Sequence, residues 1–268
     1  MLKLTAVCLA VFVIAIVMAM TGRGGGNFYV PTLVAGGAPM HQAATTAQLV
    51  LVSTATAALL VFQRRRTVDW KLALVIDPPT DVMALVGGYF ANRFAGGALK
   101  VVFAGCLVLA AFFMLRPAKE QRLGDPQRLG FWRRRFGDCE YVVNLWLAVP
   151  ITAATGLVAG AVGISGGSFK VPLMVLACGV PMRVAVGTSS AMVAATALMG
   201  FIGHSAGGDF NTSWALPTAA VAVLGGLLGG TFSLRTKPDK LKKLFAYTTL
   251  AAALFMAANA AFDRLRPC

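Results

Sequence analysis

Gly163-Ile-Ser-Gly-Gly-Ser-Phe-Lys-Val-Pro172, continuing through Val180-Pro-Met182 to Gly187-Thr-Ser-Ser190, is the stretch on which the fold turns. An earlier copy, Gly22-Arg-Gly-Gly-Gly-Asn-Phe-Tyr-Val-Pro31, leads through Ala38-Pro-Met40 to Thr45-Thr46. Each copy sets glycines, a Ser or Asn and a proline between apolar segments. Glycine admits left-handed backbone and leaves amide N–H groups uncovered. A helix beginning just beyond it adds a partial positive charge at its first turn. The expectation is two interrupted helices whose breaks face each other at the middle of a membrane and bind an anion.

The segments around these breaks are strongly apolar. Hydrophobic residues make up 57% of the chain and charged residues 13%, with a mean hydropathy of +0.74. A soluble domain has roughly 45–50% apolar and about 25% charged residues. Runs of about 20 apolar residues recur along the length, enough to cross a hydrocarbon core of roughly 30 Å. The period-2 alternation of a barrel is absent, so the chain reads as an all-α, polytopic membrane protein. The net charge of +14 does not point to nucleic acid, because the basic residues sit in short clusters between apolar segments.

Full spans are expected at 4–20, 43–62, 72–91 and 99–115, with a short apolar piece at 28–37. A basic polar loop, 116–140, follows. Spans then recur at 142–162, 184–203, 214–234 and 244–262, with a short piece at 169–179. The first span is read as retained, since the same pattern of apolar run and glycine break recurs far from the N-terminus. The division is a first transmembrane repeat over 1–115, the loop, and a second repeat over 141–268.

At an offset of 141, Gly22, Gly25, Gly26, Phe28, Val30 and Pro31 match Gly163, Gly166, Gly167, Phe169, Val171 and Pro172. At an offset of 142, Pro39, Met40, Ala43 and Thr46 match Pro181, Met182, Ala185 and Thr188, and Gly87, Gly88 and Arg93 match Gly229, Gly230 and Arg235. Matching glycine-interrupted repeats are a feature of secondary transporters. If the short pieces count as crossings, the repeats are inverted and 16 Lys and Arg residues share one side against 5 on the other. That bias favours inversion over a parallel arrangement of four plus four crossings.

The candidate anion ligands are Gly25, Gly26 and Asn27 at the first break and Gly166, Gly167 and Ser168 at the second. Thr45, Thr46, Thr188 and Ser189 follow at matching depth and offer hydroxyl donors. Lys170, in an otherwise apolar stretch, either meets the anion or snorkels to the interface. Asp77 and Asp81 are candidates for proton coupling, since burial raises a carboxyl pKa towards neutrality. Asp77 also reads as the cap of a helix beginning at Pro78, and Asp81 as a partner for Lys170. The glycine pairs at 225–226 and 229–230 read as close helix packing. The five cysteines have no metal-ligand spacing. No nucleotide or cofactor fingerprint or catalytic triad is present, so neither a cofactor nor an enzymatic reaction is expected.

Gly163-x-x-Gly-Gly-x-x-x-Val-Pro172, followed by Gly179-x-Pro-x-x-x-Ala185-x-Gly-Thr-Ser189, resembles the TauE/SafE family of sulfite and organosulfonate exporters. The likeness covers essentially the whole chain. It implies a bacterial inner-membrane carrier for sulfite, sulfonates or other small sulfur-containing anions, by exchange with or coupling to protons. This sequence departs from the family's usual pattern at Lys170, at Asp77-Pro-Pro-Thr-Asp81 and at Thr45-Thr46-Ala-Gln48. A membrane anchor or partner subunit docking through the basic loop, and a passive anion channel, are the alternatives.

Overall fold

The structure, a computed structural model, describes residues 2–89, 96–115, 129–137, 139–162, 167–205 and 211–265. Helices account for nearly all of it, with one small antiparallel hairpin. Four helical stretches among the described residues are both long and apolar enough to cross a membrane: Lys3–Thr21, Gln42–Arg64, Met182–Ile202 and Thr212–Arg235. The chain is an all-α, multi-pass membrane protein.

The helices gather into two compact units, each drawing on both halves of the sequence. The first unit holds Met1–Trp70 and Val186–Lys237. It contains α1 (Leu2–Thr21), α2 (Gly26–Ala35), α3 (Met40–Arg64), most of α8 (Met182–Ser205) and α9 (Thr212–Arg235). α1 is apolar all round, as a lipid-facing helix must be, and buries Val7, Val11, Ala15, Met18 and Ala19 at helical spacing while Leu9 and Val13 stay exposed.

α9 packs on both α1 and α3, and its glycines explain how closely. A Cβ on Gly229 would lie 2.3 Å from the carbonyl oxygen of Ile16, and one on Gly226 would lie 2.5 Å from that of Thr54. Backbone therefore meets backbone, the contact that small residues permit between membrane helices. The close-packing reading of these glycines holds.

Where α2 meets α3, Tyr29 is fully buried and its hydroxyl lies 3.0 Å from Thr54 Oγ1. Thr54 already donates to the Val50 carbonyl, so Tyr29 is the donor. The burial of so large a side chain fixes the ten-residue α2 against its neighbour.

The second unit holds Lys71–Ala185 and Pro238–Cys268. Its helices are α4 (Trp70–Tyr89), α5 (Gly96–Leu115), α6 (Leu145–Val162), α7 (Gly167–Pro172, continued by a π-helical turn over Leu173–Ala177) and α10 (Pro238–Leu265). α5 and α10 lie along each other, burying Ala104, Leu107, Ala111 and Met114 of one and Leu241, Phe245, Thr249 and Ala252 of the other. α6 touches α4 so closely that a Cβ on Gly156 would fall 2.3 Å from the Thr80 carbonyl.

Two sequence expectations are corrected here. The basic loop is not loop throughout: β1 (Phe131–Phe136) and β2 (Cys139–Asn144) pair antiparallel, in the register Phe131↔Asn144 to Phe136↔Cys139. The following span consequently starts at Leu145, not at 142. Second, α4 does not stop at its prolines. It runs through Pro78 and Pro79, so Asp77 lies inside a helix and caps nothing.

Candidate functional site

The first glycine break is built entirely within the first unit. α1 ends at Thr21, and Gly22, Gly24 and Gly25 adopt φ of 67°, 81° and 81° before α2 begins at Gly26. This left-handed backbone costs an L-residue about 1–2 kcal/mol and costs glycine almost nothing. Gly25 caps α2 without a side-chain hydrogen bond. The first α2 amide to find a backbone acceptor is that of Phe28, which donates to the Gly25 carbonyl at 2.9 Å. Among the described residues, the amides of Gly24, Gly25, Gly26 and Asn27 have no backbone acceptor. They form a run of donors at the positive end of a helix, an arrangement that suits an anion.

α8 locks against this break. Ser189 Oγ donates to the Gly22 carbonyl at 2.7 Å, and a Cβ on Gly22 would lie 2.6 Å from the Val186 carbonyl oxygen. One residue earlier, Thr188 Oγ1 accepts from the Asp69 amide at 3.0 Å, while Gly187 lies against Thr67. Gly24 faces Val193 of α8 and Leu51 of α3. Thr45 and Thr46, about one and a half turns before Leu51, are buried on α3. Thr46 Oγ1 has no hydrogen-bond partner among the described residues.

Two buried charges flank the Thr188-Ser189 pair, and the sequence reading gave neither a role. Arg23, between Gly22 and Gly24, is 3% exposed, and Asp69, whose amide Thr188 holds, is fully buried. Arg23 had a usable signal: an ionisable residue at membrane depth marks a site by default, the rule that singled out Lys170. Its place inside a glycine string drew attention to the backbone instead. Asp69 stands just before Trp70 beside an arginine cluster and looks like an interfacial residue in sequence.

In the second unit, Gly163 and Gly166 lie outside the described residues, as does the Ser168 side chain. Gly167 is the first residue of α7. Lys170 is buried at 2% exposure and makes an ion pair with Asp77 of α4. Asp81, one turn further along α4, is half-buried and makes contacts of its own.

The predicted ligands therefore fall into two sets. Gly25, Gly26, Asn27, Thr45, Thr46, Thr188 and Ser189 belong to the first unit, and Gly167, Lys170, Asp77 and Asp81 to the second. Ser189 spends its proton on the Gly22 carbonyl and Thr188 accepts a backbone amide, so in this conformation both hydroxyls brace the break. Among the described residues Thr188 Oγ1 is an acceptor only, which leaves its own proton able to donate. Among the described residues, no cluster of His, Cys, Asp or Glu has a metal-holding arrangement.

The sequence pattern of the family described as Sulfite exporter TauE/SafE matches residues 7–256. "Probable membrane transporter protein YunE" of Bacillus subtilis is 26% identical over 80% of this chain and 83% of its own length. "Probable membrane transporter protein YdhB" of the same organism is 22% identical over 93% and 98%. A "Probable membrane transporter protein" of Xylella fastidiosa is 23% identical over 89% of each chain. No solved structure matches the chain significantly. With nearly its whole length matched and relatives that are membrane transporters by name, the chain is a membrane transporter belonging to the Sulfite exporter TauE/SafE family.

Proposed function

We propose that this transporter is a secondary carrier of a small sulfur-containing anion, such as sulfite or an organosulfonate, working by alternating access with proton coupling and catalysing no reaction of its own. The observation that carries the reading is a buried arginine, Arg23, set inside a glycine break whose next four amides lack backbone acceptors. A guanidinium suits multi-oxygen anions, because its donors form a rigid fork that can engage two oxygens of one group at once. Gly25, Gly26 and Asn27 would supply amides to the same oxygens. Thr46 offers a buried hydroxyl with a hydrogen bond still to make, and such orphan groups call for an explanation such as a ligand. Gly166, Gly167, Ser168 and Lys170 make up the corresponding set in the second repeat, and Asp77 and Asp81 are the carboxylates that would carry protons.

Uptake into proteoliposomes containing the purified chain tests this. Saturable flux of sulfite or thiosulfate, not shared by acetate and lost in Arg23→Gln with the protein still folded, is the expected result. Absence of flux for sulfite, thiosulfate and taurine alike would overturn the assignment. Equal flux in Arg23→Gln would remove the arginine from the site.

A further inference from the structure

Lys170 and Asp77 join α7 to α4 across 93 residues of sequence, and both side chains are largely withdrawn from solvent. Such a pair is a poor device for stability, because the cost of desolvating two charges offsets much of their attraction. Its position on α4 is unusual as well. Pro78 and Pro79 have no N–H, so the carbonyls of Leu74 and Val75 lack their helical donors, and the residue before a proline is disfavoured in helical backbone. α4 stays helical nonetheless, with Asp77 at its weakest turn. The lysine's own helix, α7, is six residues long and passes into a π-helical turn. Turns of that kind are frequent at functional sites.

Resting on the anion-carrier reading above, we propose that Asp77 is an internal stand-in for the transported anion, occupying Lys170 until a proton releases it. The exchange balances in atoms and charge. At rest an ammonium faces a carboxylate. A proton from water adds to Asp77 Oδ1, the neutral acid relinquishes the lysine, and an oxygen of the incoming anion takes its place on Lys170 Nζ. For a monovalent anion the site is neutral before and after. An anion arriving alone would place two negative charges on one ammonium, and a proton arriving alone would leave the ammonium bare. Both are costly at membrane depth, so the two travel together and in the same direction.

The other titratable residues on the elements packed here are Lys71, Asp81 and Tyr89 on α4, Lys100 and Cys106 on α5 and Cys178 after the π turn; α6 contributes none. Lys71 is exposed at the start of α4. Asp81 lies one turn past Asp77 and is the carboxylate able to hand Asp77 its proton.

Isethionate is the probe of choice, because a sulfonate keeps its charge across the neutral range and any proton moving with it must bind to the protein. Proteoliposomes of the full chain, loaded with a pH-sensitive dye and supplied with radiolabelled isethionate, report both fluxes. The expected result is one proton entering per isethionate. Linkage also predicts a half-saturating concentration that rises about tenfold per pH unit wherever Asp77 is ionised at rest. Asp77→Asn is expected to abolish proton entry and flatten that slope, and Asp77→Glu to keep it. A merely structural role for the pair would leave the slope unmoved. Isethionate uptake without proton movement in the wild-type protein overturns this coupling and leaves the carrier reading standing. Failure to move either isethionate or sulfite at any pH overturns both. The wild-type ratio decides by itself, whether or not Asp77→Asn folds.

Discussion

Gly22 and Gly26 bracket the first break four residues apart, and an alanine scan should separate them sharply. At Gly22 an added methyl must tolerate φ of 67° and would sit 2.6 Å from the Val186 carbonyl oxygen. The left-handed backbone costs about 1–2 kcal/mol. Pushing α8 away from a fixed backbone atom costs about 1–3 kcal/mol more, as overpacking does, and strains the Ser189 bond to the Gly22 carbonyl. Gly22→Ala is therefore expected to destabilise by about 2–5 kcal/mol. At Gly26 the backbone is helical, and the nearest atom to a new Cβ is Leu51 Cδ2 at 3.9 Å. Gly26→Ala should be neutral or stabilising by up to about 1 kcal/mol, since glycine loses more backbone entropy than alanine in a helix. Thermal unfolding of the detergent-purified variants, followed by tryptophan fluorescence, measures both. Equal melting temperatures, or a larger loss at Gly26, would refute the packing described for this break.

Ser189→Ala should lower stability by about 1–2 kcal/mol, because a buried bond to the Gly22 carbonyl is lost; an unchanged melting temperature would show that the bond does not hold the break. Lys170→Met leaves Asp77 buried beside no ammonium and should cost about 3–5 kcal/mol, whereas Lys170→Met/Asp77→Asn should recover most of that loss. A double variant as unstable as the single one would contradict the pairing. In the hairpin, the Arg133 guanidinium 2.8 Å from the Glu140 carboxylate holds that carboxyl below its usual range, chiefly through their hydrogen bond. Its folded value is the lowered one, so its contribution is present at neutral pH and fades as pH falls through that value. A side-chain NMR titration should show the midpoint returning to the ordinary glutamate range in Arg133→Gln.

Much of this architecture is legible in the sequence because membrane helices announce themselves by length and apolarity, and glycine breaks interrupt them visibly. The ten residues of α2 and the close packing of Gly226 and Gly229 were readable for that reason. What escaped depended on contacts between distant segments. Nothing near Lys170 in sequence names Asp77 as its partner, and Pro78-Pro79 reads as a break because local rules do not see the packing that keeps α4 helical. The hairpin was hidden by its arginines: Phe-Trp-Arg-Arg-Arg-Phe reads as a basic loop. Its turn did carry a signal, because Gly137 follows β1 directly with a φ of 57°, and glycine is typical of tight hairpin turns. Arg23 sits inside a glycine string, where backbone conformation and not side-chain charge is the dominant local signal.

The claim beneath all of this is that uncovered amides and a buried guanidinium at the first break hold the transported anion. A structure determined at high resolution with sulfite, or with the heavier oxyanion selenite, tests it most directly. Density is expected within hydrogen-bonding distance of the Gly24–Asn27 amides and of Arg23. An anion resolved away from both Arg23 and Lys170 in a transport-competent protein, with the Gly24–Asn27 amides covered by side chains, would contradict it.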